Sequence, residues 1–190
     1  ADGREVRSPV VVSAAGAKAT VRKLVPESLR QSDWGRAIQG LGDSPPYICL
    51  NLGFEGDIRS AGATSANLWL FETWAEDAKL WKVDEPGAVA PILYCSFPSL
   101  KDPDHEPGPK QRHTGECITF VDWGLFARYA DSDPERRPED YEALKVDIED
   151  RLLAHLRRRL PDLMKHLTYF ELSTPITTEH FTRASRGAIY

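Results

Sequence analysis

Five histidines, at positions 105, 113, 155, 166 and 180, and three cysteines, at 49, 95 and 117, are the side chains best suited to acid-base, nucleophilic or metal chemistry. Their spacing favours none of the three. A helical metal site needs two ligands one turn apart, and no two histidines stand at i, i+3 or i, i+4, so no metal site is expected. The sequence holds no Gly-x-Ser-x-Gly elbow, no His-Glu-x-x-His and no Cys-x-x-Cys, which disfavours the common self-contained hydrolases and redox dithiols. It also lacks Gly-x-Gly-x-x-Gly and Gly-Lys-Ser/Thr, so it carries no dinucleotide-phosphate cradle of its own. The cysteines are odd in number, far apart and set in apolar runs. They read as small buried hydrophobes, a usage that fits a reducing cytosol. His105 falls in a proline-rich loop, and His155, amid leucines and arginines, is expected at the surface.

At 190 residues, with 41% hydrophobic and 28% charged residues, the chain can bury an ordinary core without disulfides or metals. A net charge of −5 argues against a nucleic-acid partner, which would need a clustered basic surface. No apolar run approaches the roughly 18 to 20 residues needed to cross a bilayer, so membrane contact would be peripheral. The first residues show no Met and no leader pattern, and Asp2-Gly3 reads as a hairpin-turn pair; the chain is expected to be a piece of a longer one.

The elements that must position any site follow from periodicity. Pro9 to Gly16 is a continuous apolar run ending in small residues, which predicts a strand buried on both faces. Residues 17–24 are helix-forming and stop before Pro26, and a weaker helix is expected within 28–39. From Tyr47 to Phe54 the residues alternate, with Ile48, Leu50, Leu52 and Phe54 on one face. Further strands are predicted at 67–71, 92–97, 117–121 and about 166–172, giving a mostly antiparallel sheet within an α+β fold. The 102–110 segment, with three prolines and a glycine, must be a loop. Tyr141, Leu144, Ile148, Leu152, Leu156 and Leu160 recur at three- and four-residue steps, predicting one long helix between Pro138 and Pro161. On it, Asp147 and Arg151 are a scaffold pair, and Arg157 to Arg159 suit a solvated C-terminal end better than a lipid patch. Trp69, Phe71, Tyr94, Phe97, Phe120 and Phe170 could line an apolar cleft or simply fill a core.

Several segments resemble, in order, a known family. Ser173 to Tyr190 has Thr174-Pro175, then Thr177, an aromatic and Arg186-Gly187-Ala188-Ile189-Tyr190. Upstream lie Leu52 to Asp57, Asn67 to Phe71, Ser96 to Pro103 with its Phe-Pro-Ser-x-Lys-Asp-Pro run, and His113-Thr114 before Ile118 to Val121. This series is similar to the phytoene dehydrogenase, carotenoid isomerase and retinol saturase group of FAD-dependent oxidoreductases, above all to its saturase and isomerase branch. Val10 to Gly16 resembles the strand that re-enters the flavin domain in that group, although Ala14 stands where Asn is common.

The resemblance implies an enzyme acting on carbon–carbon bonds of a polyene or similar lipophilic substrate. Residues 17–172 would be the substrate-binding domain of a two-domain flavoprotein, a sheet with helices packed on one side. Residues 1–16 would re-enter the FAD-binding domain and 173–190 would return toward it. By the same carry-over Ser13, Ala15 and Gly16 would lie near the adenosine or phosphate side of FAD, and Arg186, Gly187 and Tyr190 near the flavin. Thr177 and His180 would face substrate. No catalytic residue is assigned. The plainer readings stay open: His180 as an exposed helical residue, Arg186 in a structural ion pair, Gly187 in a tight turn. FAD would be held mainly by a domain of the same polypeptide outside this sequence, and a non-catalytic module that binds a polyene or other lipid is the alternative function.

Overall fold

In the computed structural model residues 3–74 and 80–190 are described. Asp2, and with it the Asp2-Gly3 turn, lies outside them. The chain divides into two compact units, one of residues 1–43 with Tyr190, the other of Ser44–Ile189.

The smaller unit is helical. α1 (Ala17–Ala19) runs into a π-helical turn (Thr20–Leu24), and Val25, held extended ahead of Pro26, ends it. The helix expected within 28–39 is two helices, α2 (Glu27–Arg30) and α3 (Asp33–Gly40). Ser32 divides them by capping α3, its Oγ accepting from Gly35 N–H. The buried strand predicted for Pro9 to Gly16 is not formed. That segment is irregular, with Val10, Val11 and Val12 between 72% and 90% exposed. The physical reason is the missing ladder: the described part of this unit holds no strand, so the segment has no neighbour to take its backbone hydrogen bonds.

The larger unit is built on a five-stranded antiparallel sheet with order β2-β3-β4-β1-β5. Its strands are β1 (Tyr47–Glu55), β2 (Leu68–Phe71), β3 (Ile92–Ser96), β4 (Arg112–Phe120) and β5 (Leu167–Ser173). β4 begins five residues before the apolar run that predicted it. Its polar first half, Arg112 to Glu116, pairs with Glu55 to Asn51 of β1. β1 is central and pairs along its length with β4 and, past a bulge at Gly53/Phe54, with β5.

Alternation along β1 gives the sheet two unlike faces. Ile48, Leu50, Leu52 and Phe54, all at most 6% exposed, point into the core with Leu93, Cys95, Cys117 and Leu172. Against that side packs α5 (Glu139–Arg159), through Ile148, Leu152, Leu153 and Leu156, each almost wholly buried. Acidic residues fill the first turn of α5 and Arg157, Arg158 and Arg159 its last, the arrangement its macrodipole favours. Asp147 and Arg151 pair at 3.0 Å along its surface, as their spacing predicts. Short helices α4 (Gly124–Ala127), α6 (Pro161–Met164) and α7 (Pro175–Thr182) complete the unit. Among the described residues no helix is long and apolar enough to cross a membrane.

The three cysteines are free and buried, as read from the sequence. Cys95 and Cys117 face each other across β3 and β4 with sulfurs 3.6 Å apart. The hydrogen bond with Cys95, and then burial, push the Cys117 thiol well above its ordinary range.

The core face makes a direct test of this packing. Leu152→Ala should lower the unfolding free energy by about 2–5 kcal/mol through the cavity it leaves. Val146→Ala, on the exposed side of the same helix, should change it by no more than about 0.5 kcal/mol. Urea denaturation of both variants measures the contrast, and equal effects would mean that α5 does not pack as described.

Candidate functional site

The face of the sheet turned away from α5 is the most unusual surface of the larger unit. Register places Trp69, Tyr94, Ile118, Cys49 and Ser173 in one row across all five strands. Beside it lie the pairs Phe71 with Ile92 and Tyr47 with Phe120. The rows toward the other end are polar: Ser96, Glu116, Asn51 and Glu171, then Thr114, Gly53 and Tyr169. The face is therefore apolar at one end and polar at the other.

Aromatic residues of the apolar end pack on one another while remaining accessible. Trp69 meets Tyr94 edge to face at 5.0 Å, and Phe71 stacks on Trp74 at 4.9 Å. Trp69 is 54% exposed and Trp74 85%, whereas Phe71, Tyr94, Ile118 and Phe120 are half-buried. So much accessible aromatic surface on a sheet suits a ligand that offers area and few hydrogen bonds.

Four of the six aromatics singled out from the sequence share this face; Phe97 and Phe170 do not. Phe97 is 2% exposed and packs at 6.2 Å from Phe54 in the core, and Phe170 lies opposite Leu52 on the helix side. Strand parity decides both, because Phe97 follows the phase of Cys95 and Phe170 that of Leu172. Tyr47 and Tyr169 join the face instead. Register, which the sequence does not state, is what reveals them.

Two ionisable groups on this face, Cys49 and Tyr169, are shifted upward. Burial, with help from Glu116, pushes the Cys49 thiol up to about 12. Tyr169 donates to Glu171 at 2.7 Å, and that bond raises its phenol above the usual value.

The segment after β5 is fixed by caps. Thr174 is fully buried and pairs with the Tyr141 hydroxyl of α5 at 2.8 Å. Thr177 Oγ1 accepts from the Thr174 N–H, closing a capping box at the start of α7. His180, half-buried, meets the exposed Phe181 ring edge to face at 4.8 Å. Arg183 and Arg186 both take left-handed φ, near +60° and +55°, and Arg186 N–H donates to Glu179. Ala188 bridges Pro46, immediately before Tyr47, so Thr177, His180, Arg186 and Gly187 are gathered at the apolar end of the sheet. In the smaller unit Ser13 and Gly16 line a cleft of about 420 Å³ with Thr20, Trp34 and Ile38, while Ala15 and Tyr190 are exposed.

Gly187 is buried, with φ +62°, and a Cβ there would lie 2.4 Å from the Pro175 backbone. Its role in the fold is this close approach. Gly187→Ala should cost about 1–3 kcal/mol of stability by strain and clash. Thermal unfolding checks this, and an unchanged midpoint would contradict the packing.

His155 is not at the surface as expected. It is 2% exposed, its Nε2–H donating to Glu72 Oε1 at 2.8 Å, while Glu72 also pairs with Arg158 and Arg159. The helical phase of Leu152 and Leu156 carries it inward, and Glu72, just beyond β2, supplies an acceptor that the sequence separates by 83 residues. Its Nδ1 has no partner among the described residues, and burial holds its pKa below the ordinary value although Glu72 pulls the other way. The native state therefore resists a proton that the unfolded chain accepts. This contribution to stability is whole above the ordinary histidine pKa of about 6.5 and is lost as pH falls toward the depressed value. His155→Gln should reduce the slope of stability against pH in that window, leaving the part due to His113, which is shifted the same way. Equal slopes in the two proteins would contradict it.

No family model matches the chain. Known proteins do. An all-trans-retinol 13,14-reductase of Danio rerio is 27% identical over 97% of this chain and 32% of its own length. An inactive all-trans-retinol 13,14-reductase of Danio rerio is 27% identical over 90% of this chain, and a chloroplastic prolycopene isomerase of Arabidopsis thaliana 24% over 98%. The chain spans about a third of the length of the curated relatives it matches. From end to end, then, the chain is similar to one segment of the all-trans-retinol 13,14-reductases and of a prolycopene isomerase.

Proposed function

We propose that this chain is the substrate-side part of an FAD-dependent oxidoreductase or isomerase that works on carbon–carbon bonds of a polyene or similar lipophilic molecule. The observation that carries the reading is the two-faced sheet, with helices on one side and an open, aromatic-rich face on the other. In this reading the open face covers a flat apolar ligand, and the rest of the same polypeptide provides the other wall and most of the FAD site. Peripheral contact with a membrane, from which such a substrate is drawn, and a cytoplasmic setting belong to the same proposal.

The residues assigned to the cofactor fit it unequally. At Gly16 the left-handed φ of +79° comes with no atom within 4 Å of a would-be Cβ, which leaves room for a ligand against the backbone. Ser13, in the same cleft, offers a hydroxyl that pairs with Thr20 Oγ1 at 2.6 Å. Gly187 offers no such opening. A bound flavin supplies hydride exchange; this chain's part is to orient the polyene and exclude water, with Thr177 and His180 near the junction. The upward shifts of Cys49 and Tyr169 on the open face agree with that division.

The alternative, a non-catalytic polyene- or lipid-binding module, draws support from the relative named inactive. It calls for an enclosed cavity, and the openness of the aromatic face favours the first reading.

Expressed with the remainder of its polypeptide, the protein should purify yellow with flavin absorbance, and a folded but colourless product would overturn the cofactor assignment. Binding of a polyene, followed by quenching of tryptophan fluorescence, should weaken about tenfold in Trp69→Ala, the loss expected from one aromatic contact surface. An unchanged affinity would remove the open face from the substrate site.

A further inference from the structure

Beyond the polar end of the sheet, where β1 leaves and β4 enters, lies a cavity of about 530 Å³ that the flavin reading does not use. It is lined by Asp57 and Arg59 of the turn after β1, by Ser99, Lys101 and Asp102, and by His105 and His113. Seven residue steps of β4 part His113 from Phe120, about 24 Å at strand rise, so the cavity is remote from the apolar end of the open face.

Its cations are held without carboxylates. Lys101 Nζ donates to Ser96 Oγ at 2.7 Å and to Asn67 Oδ1 at 2.5 Å, both neutral oxygens. Among the described residues Arg59 makes no ion pair. The two carboxylates of the lining are turned into their own loops. Asp57 accepts from the Ser60 N–H and hydroxyl, and Asp102 from the Asp104 N–H.

The two imidazoles are fixed in place, 5.4 Å apart. His105 Nε2–H donates to the Arg112 carbonyl at 2.8 Å, and His113 Nδ1 lies 3.3 Å from Ser99 Oγ. Burial, His105 and Arg59 hold the His113 pKa below its ordinary value, against the opposing pull of Asp57. The lining also carries backbone strain at Gln111, a non-glycine residue at φ +52°. The lining thus offers a guanidinium, an ammonium on neutral partners and two imidazoles, while the carboxylates of Asp57 and Asp102 are engaged by N–H and O–H groups of their own loops.

We propose that this cavity is a binding site for an oxyanion, a phosphate or carboxylate, held by Arg59, Lys101 and His113. The oxyanion chemistry is the same for a free ion and for the end group of a larger molecule. In either form it favours protonated His113, so affinity rises as pH falls below the ordinary histidine range.

The test follows the histidine ring protons by NMR in the 190-residue chain, titrated with inorganic phosphate and with hexyl phosphate at ionic strength fixed by chloride. Saturable shifts of His113 and His105, an upward move of the His113 titration, and about tenfold weaker binding in Arg59→Gln, the effect of one charge-assisted contact, are expected. Tighter binding of inorganic phosphate assigns a free ion, and tighter binding of hexyl phosphate an end group. Shifts that do not saturate, or that persist unchanged in Arg59→Gln, overturn the site. Arg59 is exposed, so its replacement leaves the fold intact.

Discussion

The pairing of β1 with strands on both sides is the constraint on which the rest depends. Because β1 is central and its register with β4 runs unbroken from Tyr47 to Glu55, every residue of the sheet is committed to one face or the other. Ile48, Leu50, Leu52 and Phe54 commit their face to the core beneath α5. The opposite face is then defined by default, and it is there that Trp69, Phe71, Tyr94 and Phe120 fall into neighbouring rows. A shift of β1 by one residue would turn Leu50 and Leu52 out of the core and carry Cys49 and Asn51 into it.

Much of this was legible in the sequence, for reasons that differ by element. The period-two alternation of β1 and the three- and four-residue recurrence of α5 are strong local signals, because each side chain that counts is apolar and regularly spaced. The first half of β4 carried no such signal: Arg112, His113, Thr114 and Glu116 are polar, and only pairing with β1 makes them strand. Pro9 to Gly16 failed in the opposite way. Its residues have strand composition, but a strand is a property of two segments, and composition cannot supply the second.

Sites were less legible than elements, since they are assembled from residues far apart in the chain. His155 reads as solvent-facing among its neighbours, yet Glu72, 83 residues away and just after β2, accepts its hydrogen bond where it is buried. Thr177 and Gly187, singled out for a ligand by resemblance, are also the residues that hold α7 and the turn after it, through the capping box and the contact with Pro175. A motif kept for its shape and one kept for its chemistry read alike in a single sequence.

The distribution of polarity on the open face bears on how such a protein divides its labour. An apolar ligand on a sheet gains from area and loses from any charge it must desolvate, so the aromatic end is best left free of ionisable groups. Here Cys49, within the aromatic rows, has its thiol held far from ionisation by burial. Glu116 and Glu171 stand one row away, with Asn51 and Ser96 in the same row. Glu171 is further occupied by the Tyr169 hydroxyl, so the polar row is joined internally before any ligand arrives. The aromatic end thus offers accessible apolar area, with the polar groups of the sheet gathered in the rows beyond it.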